Sequence, residues 1–225
     1  ARKELAPYYP TYADFEPLKP GIRSYEMKPM RLVPLNEDGT LNMDVLNGDF
    51  SPQYLAKKEN PRWVAKPTVA YLWARTVKCK NCRATVPLLK TRWLCKKPKK
   101  RVLLTMEPSE EKTGVIFGVQ ADVPKGKDSA MGEGTMSRAG TRCPCCVTIM
   151  TMEDVRLEGK AGRLGAQMTS VVTDTPTGKG YRSPTDYELE QAAEMATVAN
   201  ASFEELPGGE LGEKTPKGGG SGAAR

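Results

Sequence analysis

Six cysteines are the residues in this 225-residue chain whose types and spacing suggest chemistry. They stand at positions 79, 82, 95, 143, 145 and 146. Cys79-Lys-Asn-Cys82 is one Cys-x-x-Cys pair, and Cys143-Pro-Cys-Cys146 contains a second at the same spacing. Two residues between thiolates let a tight turn aim both sulfurs at one point, where backbone amides can donate to them. Two such knuckles supply the four ligands of a tetrahedral zinc ion, with zinc–sulfur bonds of about 2.3 Å. The chain has no histidine. That removes Ser-His-Asp hydrolysis, His-Glu-x-x-His zinc proteases and every histidine-ligated metal. An all-cysteine site of Cys79, Cys82, Cys143 and Cys146 is the simplest assignment. A closed four-sulfur site has no open position for water, so it would organise structure rather than catalyse.

Sixty residues separate Cys82 from Cys143, against the roughly 15–20 of a compact ribbon. Loop closure costs only about 0.6 kcal/mol per doubling of length. A structural zinc contributes about 10–16 kcal/mol at neutral pH, so the longer gap is affordable if the intervening strands fold as hairpins. Three other readings stay open: disulfides, for which no export signal provides an oxidising compartment; a redox dithiol, which a doubled motif disfavours; and unrelated buried thiols. Cys95 reads as a half-buried thiol and Cys145 as a spare inside the second knuckle. Val147 stands where such a knuckle usually has glycine to turn left-handed, so some backbone strain is expected there.

The net charge is +7, but it is unevenly placed. Between residues 78 and 101 lie Lys78, Lys80, Arg83, Lys90, Arg92, Lys96, Lys97, Lys99, Lys100 and Arg101, with no Asp or Glu. A single-sign patch of that density attracts phosphate backbones. The competing reading is a solvated strand face whose lysines prevent edge pairing. Trp73 and Trp93 lie near the patch, placed either to stack on bases or to fill the core.

The elements that must position these groups are short. Leu, Ile, Val and Phe together supply 40 of the 225 residues, a thin core that a metal staple would help. Pro and Gly, 18 and 21 in number, favour turns and short strands. Residues 1–6 read as the end of a helix stopped by Pro7. Residues 7–34 read as a proline-rich extended connector anchored by Tyr8, Tyr9, Tyr12 and Phe15, and 36–40 as a turn. Ser51 and Pro52 mark the start of a short helix over 51–59. Strands are expected at 67–77, 86–94, 101–106, 114–119 and 168–173. Thr151 caps a helix ending near Gly159–Gly162. Residues 175–180 form a turn, Ser183 and Pro184 start a last helix running to about Leu206, and a Gly-rich tail follows. The expected class is therefore α+β: a four-cysteine zinc ribbon with short antiparallel strands and a long insertion, flanked by helices and irregular segments. It divides into a connector or insertion (1–66), a ribbon module (67–150), a helix–strand–helix return (151–206) and a tail (207–225).

No apolar run approaches the roughly 18 residues a membrane helix needs. The chain opens on Ala1 without a visible signal peptide, which reads as a piece of a longer protein. It contains no Gly-x-Gly-x-x-Gly loop, no Walker loop, no Pro-Pro dipeptide and no carboxylate cluster with an evident proton task. The residues alone describe a zinc-stapled, basic, nucleic-acid-facing module without its own active site.

Tyr71-Leu-Trp-Ala-Arg-Thr-Val77 leading to Cys79, Val86-Pro-Leu-Leu89, Trp93-Leu94, Gly134-Thr-Met136, Cys143-Pro-Cys-Cys146, Met152-Glu-Asp-Val155, Lys160-Ala-Gly-Arg-Leu-Gly165 and Tyr181-Arg-Ser-Pro-Thr185 form an ensemble. It resembles bacterial and archaeal adenine-specific DNA methylases containing a zinc ribbon. The likeness covers most of 67–187. Ala1–Pro10 also resembles the segment that follows the cofactor-binding half of such proteins. The resemblance implies methyl transfer from S-adenosylmethionine to the exocyclic amine of adenine in double-stranded DNA, in the cytoplasm at the nucleoid. It implies that the S-adenosylmethionine loop precedes Ala1 and the Pro-Pro catalytic loop follows Arg225. The partners would then be DNA and the two missing halves of the same polypeptide. No catalytic residue carries over; the four cysteines do. Residues 22–62, Cys145 and Val147 depart from the family pattern. The rival expectation is a self-contained zinc-ribbon adaptor that binds nucleic acid or protein.

Overall fold

A computed structural model describes residues 6–17, 28–126, 128–176 and 178–205. Through Thr185 these belong to one compact unit, and the helix that follows belongs to a second. The fold is mixed, with antiparallel sheets and few helices.

The first sheet places β1 (Tyr12–Glu16) between β2 (Arg31–Leu32) and β3 (Arg62–Lys66), with Tyr12 opposite both Leu32 and Lys66. Ala13, Val33 and Trp63 are its buried centre. The Phe15 ring meets Trp63 edge-on at 5.3 Å, and Phe50 stacks on Tyr54 at 5.0 Å. The proline-rich stretch is thus more than a connector: Ala13 and Phe15, alternate residues of β1, share the face turned to this cluster. Two short helices, α1 (Asp44–Asn47) and α2 (Pro52–Ala56), close this lobe. Ser51 caps α2 by accepting from the Tyr54 amide, with Pro52 at the first position, as its sequence indicates. The 36–40 turn closes through the Gly39 amide and the Asn36 carbonyl at 2.9 Å.

The central sheet has the order β12–β11–β4–β5. Its long members are β4 (Thr68–Lys78) and β11 (Gly165–Thr175), paired from Gly165–Thr76 to Thr173–Thr68 with a bulge between Met168 and Ser170. β5 (Thr85–Pro87) and β12 (Gly178–Arg182) flank them. A third sheet runs β6 (Trp93–Lys97), β7 (Lys100–Pro108), β8 (Val115–Gln120). After the short α3 (Asp128–Met131), β9 (Gly140–Arg142) and β10 (Ile149–Thr151) form a two-stranded ladder. α4 (Met152–Lys160) follows. Thr151 accepts from the Asp154 amide while Asp154 accepts from the Thr151 amide, a full capping box.

Two expectations need correction. The strand expected over 86–94 is broken after Pro87. The Leu88 amide donates to the Arg75 carbonyl, and the Leu89 carbonyl accepts from Met136, so the chain crosses here from one sheet to the next. Glycine is required at 134 because a Cβ there would lie 2.0 Å from the Leu89 carbonyl oxygen. The last helix, α5 (Asp186–Glu205), begins after Thr185 rather than at Ser183. Pairing of Arg182 with Val171 keeps the chain extended, and the Tyr12 hydroxyl holds the Thr185 hydroxyl at 2.9 Å. Residues 1–5, Leu206 and the 207–225 tail lie outside the described residues. Among the described residues no helix is long and apolar enough to cross a membrane.

Candidate metal centre

The two Cys-x-x-Cys segments fold as copies of one turn. In the first, the Arg83 amide donates to the Cys79 carbonyl at 3.0 Å and the Cys79 amide to the Ala84 carbonyl at 2.9 Å. In the second, Val147 donates to Cys143 and Cys143 to Thr148, both at 2.9 Å. Each turn needs one left-handed residue just after its second cysteine. Arg83 (φ +62°) and Val147 (φ +66°) take that role. The strain expected at Val147 is therefore present, and it has a counterpart at Arg83. Each turn then runs into a short strand, β5 or β10, that ties it to the core.

The sequence-distant pairs meet. Cys79 Sγ lies 3.6 Å from Cys146 Sγ, and Cys82 Sγ 3.6 Å from Cys143 Sγ. All four sulfurs lie within 4.8 Å of one another and could hold a metal ion. Cys79 and Cys143 are buried, Cys146 is half-buried and Cys82 is exposed. Cys79 and Cys143 belong to the apolar cluster of Val77, Ala84, Val86 and Met150 and Cys146 packs against it, so the centre borders the core it would staple.

The thiols differ in how readily they ionise. The Thr148 hydroxyl, 3.3 Å from Cys146 Sγ, and the Thr148 amide hold the Cys146 thiol down at about 5; Asn81 assists. Burial pushes the Cys143 thiol up, although the Cys146 and Cys145 amides donate to it. At Cys82 the Ala84 amide pulls the thiol down, but desolvation and the neighbouring Cys146 and Cys79 thiols outweigh it, leaving it raised. A cation among the four sulfurs would relieve that crowding, since thiolates are the ligating form. Thr148 and Asn81 carry no spacing signal that would find them in the sequence; only the turn geometry brings them to the sulfurs.

Cys145 points elsewhere: its Sγ donates to the Gly114 carbonyl at 3.3 Å. Cys95 lies half-buried in β6, outside the cluster. Lys80 reaches from the first knuckle to Asp154 in the α4 cap, Nζ to Oδ2 2.8 Å. One ion pair thus joins the first knuckle to the helix that follows the second.

The ten basic residues do not form one uniform patch. Arg101 is buried and makes a two-pronged pair with Asp128, which also meets Lys96 at 3.4 Å. It is a core cation rather than the surface contact expected of it. Arg92 donates to the Glu133 and Met131 carbonyls, both at 2.8 Å, and fastens the crossover loop. Lys78 donates to the Thr85 hydroxyl at 2.7 Å, and Lys100 to the Lys179 carbonyl. Arg83, Lys90, Lys97 and Lys99 are exposed. Trp93 is held structurally: its Nε1 donates to the Asp128 carbonyl at 2.9 Å and the Arg101 guanidinium lies 4.7 Å from its ring centre. Trp73, by contrast, is 49% exposed on β4.

No family model, no curated protein and no solved structure matches the chain.

Proposed function

We propose that the four cysteines hold a structural zinc ion, and that the chain is the central zinc-ribbon section of an S-adenosylmethionine-dependent DNA adenine methyltransferase. Sulfurs bonded to zinc at about 2.3 Å in a tetrahedron lie about 3.8 Å apart. To reach that, the observed 3.6 Å pairs would open slightly and the wider separations, which extend to no more than 4.8 Å, would contract. Zinc supplies a fixed crosslink between two knuckles and no reaction step. Cys79 and Cys82 would orient β4 and β5, and Cys143 and Cys146 would orient β9, β10 and α4.

One observation supports the methylase reading above the others. The segments that carry the resemblance are scattered between Tyr71 and Thr185, yet they fall on connected elements: β4, β5, the start of β6, the 134–136 loop bonded to Leu89, both knuckles, α4, the first residue of β11 and the end of β12. Most of 28–62, which lacks the resemblance, lies in the β1–β3 lobe with its own core. On this reading the ribbon grips duplex DNA while other parts of the polypeptide bind S-adenosylmethionine and act on a flipped adenine.

The test is the complete open reading frame. It should encode an Asp-Pro-Pro-Tyr-like loop after Arg225, and its purified product should transfer labelled methyl to adenine in duplex DNA. A product that carries zinc and binds DNA but lacks that loop and activity would favour the self-contained adaptor. Reversible disulfides with little zinc would favour a redox dithiol instead.

A further inference from the structure

The basic residues divide according to whether a carboxylate answers them. Lys80 has Asp154, and Lys96 and Arg101 share Asp128. Lys97 and Lys99 are exposed, and their side chains have no acidic or hydrogen-bonding partner among the described residues. The Lys100 side chain is half-buried and, among the described residues, meets the Lys179 carbonyl and no carboxylate. These three sit together at the end of the β6–β7 hairpin, where Lys97 pairs with Lys100 across the Pro98–Lys99 turn.

The exposed part of that end is the turn itself: Lys96, Lys97, Pro98 and Lys99 are exposed and Lys100 is half-buried, whereas Arg101 and Val102 are buried and the Val123 amide donates to the Arg101 carbonyl at 3.1 Å. Its root is braced: Arg101 pairs with Asp128 and donates to the Val123 carbonyl at 2.9 Å, and Trp93 is pinned to the Asp128 carbonyl. The hairpin is a two-stranded element with a braced, buried root and an exposed cationic turn that no carboxylate answers among the described residues.

We infer that the β6–β7 hairpin is an arm that enters the major groove of duplex DNA, with Lys97, Lys99 and Lys100 on phosphates. This rests on the DNA-binding part of the proposed function and assigns it to one element. A major groove about 12 Å wide admits a two-stranded ribbon. A single strand would call for free aromatic faces, and the hairpin's aromatic is already engaged. Arg101 lies over the Trp93 ring, and a Cβ at Gly132 would fall 2.1 Å from its five-membered ring. An anionic membrane would call for apolar side chains beside the charges, whereas the tip reads Lys-Lys-Pro-Lys-Lys.

The test uses the metal-loaded full chain, a 20-base-pair duplex and fluorescence anisotropy across a salt series. The triple variant Lys97→Gln, Lys99→Gln, Lys100→Gln is compared with Lys78→Gln, Arg83→Gln near the first knuckle. Circular dichroism and zinc content check that both variants fold. Removing three phosphate contacts should make the slope of log affinity against log salt shallower by about 2.7. It should weaken binding at least tenfold at low salt, more than the knuckle variant does. Methyl green, which occupies the major groove, should compete, and netropsin should not. An unchanged slope in the triple variant, with loss in the knuckle variant, overturns the arm but leaves DNA binding standing. Competition by netropsin alone overturns the groove assignment. Preference for the single strand, or for phosphatidylserine vesicles through the same lysines, overturns the duplex as occupant. Absence of duplex binding by the unaltered chain overturns the DNA reading itself.

Discussion

Arg83 and Val147 are structural equivalents: each follows the second cysteine of a knuckle, each is left-handed at φ +62° and +66°, and each donates its amide to the first cysteine's carbonyl. Neither is glycine. A left-handed conformation costs an L-residue about 1–2 kcal/mol, and glycine gives back about 0.5–1 kcal/mol of that through its freer unfolded chain. Val147 is β-branched and 54% exposed, so little packing offsets its strain. Val147→Gly should therefore stabilise the chain by about 1 kcal/mol, and Arg83→Gly by less. Denaturant midpoints measured with metal bound check the order.

The cysteines should separate cleanly by metal retention. Serine at 79, 82, 143 or 146 should each abolish tight zinc binding and lower thermal stability by many degrees, because binding and folding free energy are shared. Serine at 145 or 95 should leave one zinc per chain. Native mass spectrometry with and without a chelator reads both. Retention of zinc by Cys82→Ser would point to a fifth thiol taking its place.

The α4 cap should be as sensitive as an ordinary N-cap. Thr151→Ala removes the acceptor of the Asp154 amide and should cost about 1 kcal/mol. Lys80→Met should destabilise less, since Lys80 is half exposed. The two effects should be non-additive in a double-mutant cycle, because Asp154 serves both contacts.

Acid should loosen the β6–β7 root. The Arg101 guanidinium, aided by Lys96, holds the Asp128 carboxyl below its usual value near 3.8. Lys80 and the Thr151 amide do the same to Asp154, and Arg163 to Glu158. Each folded value lies below the unfolded one, so the stability they add is complete above the ordinary carboxylate range. It is lost as pH falls through the lower folded values. Trp93 fluorescence, reporting on Asp128, should change below pH 4. Asp128→Asn should lower stability at neutral pH and flatten this acid response.

Much of the local structure was legible because its causes are local. Ser51-Pro52 and Thr151 with Asp154 announce helix starts through side chains that cap their own backbone. The alternation from Val69 to Val77 announces β4. The misplaced elements failed for a distant reason. Residues 89–92 have strand composition but are bound to 132–136, and Ser183-Pro184 has cap composition but directly follows Arg182, which is paired with Val171 of β11.

The sequence by itself determined the candidate ligands, since two Cys-x-x-Cys segments in a chain without histidine leave few other ways to build a metal site, and it determined that charge is concentrated in residues 78–101. Only the tertiary structure decided that sulfurs 60 residues apart converge while Cys145 turns toward Gly114, and which cations remain unanswered. The acid that neutralises Arg101 and Lys96 is Asp128, and the acid that answers Lys80 is Asp154. Both lie outside the basic stretch. Coulomb attraction depends on distance in space, so a charge run cannot be read as a surface until the fold has placed its counter-ions.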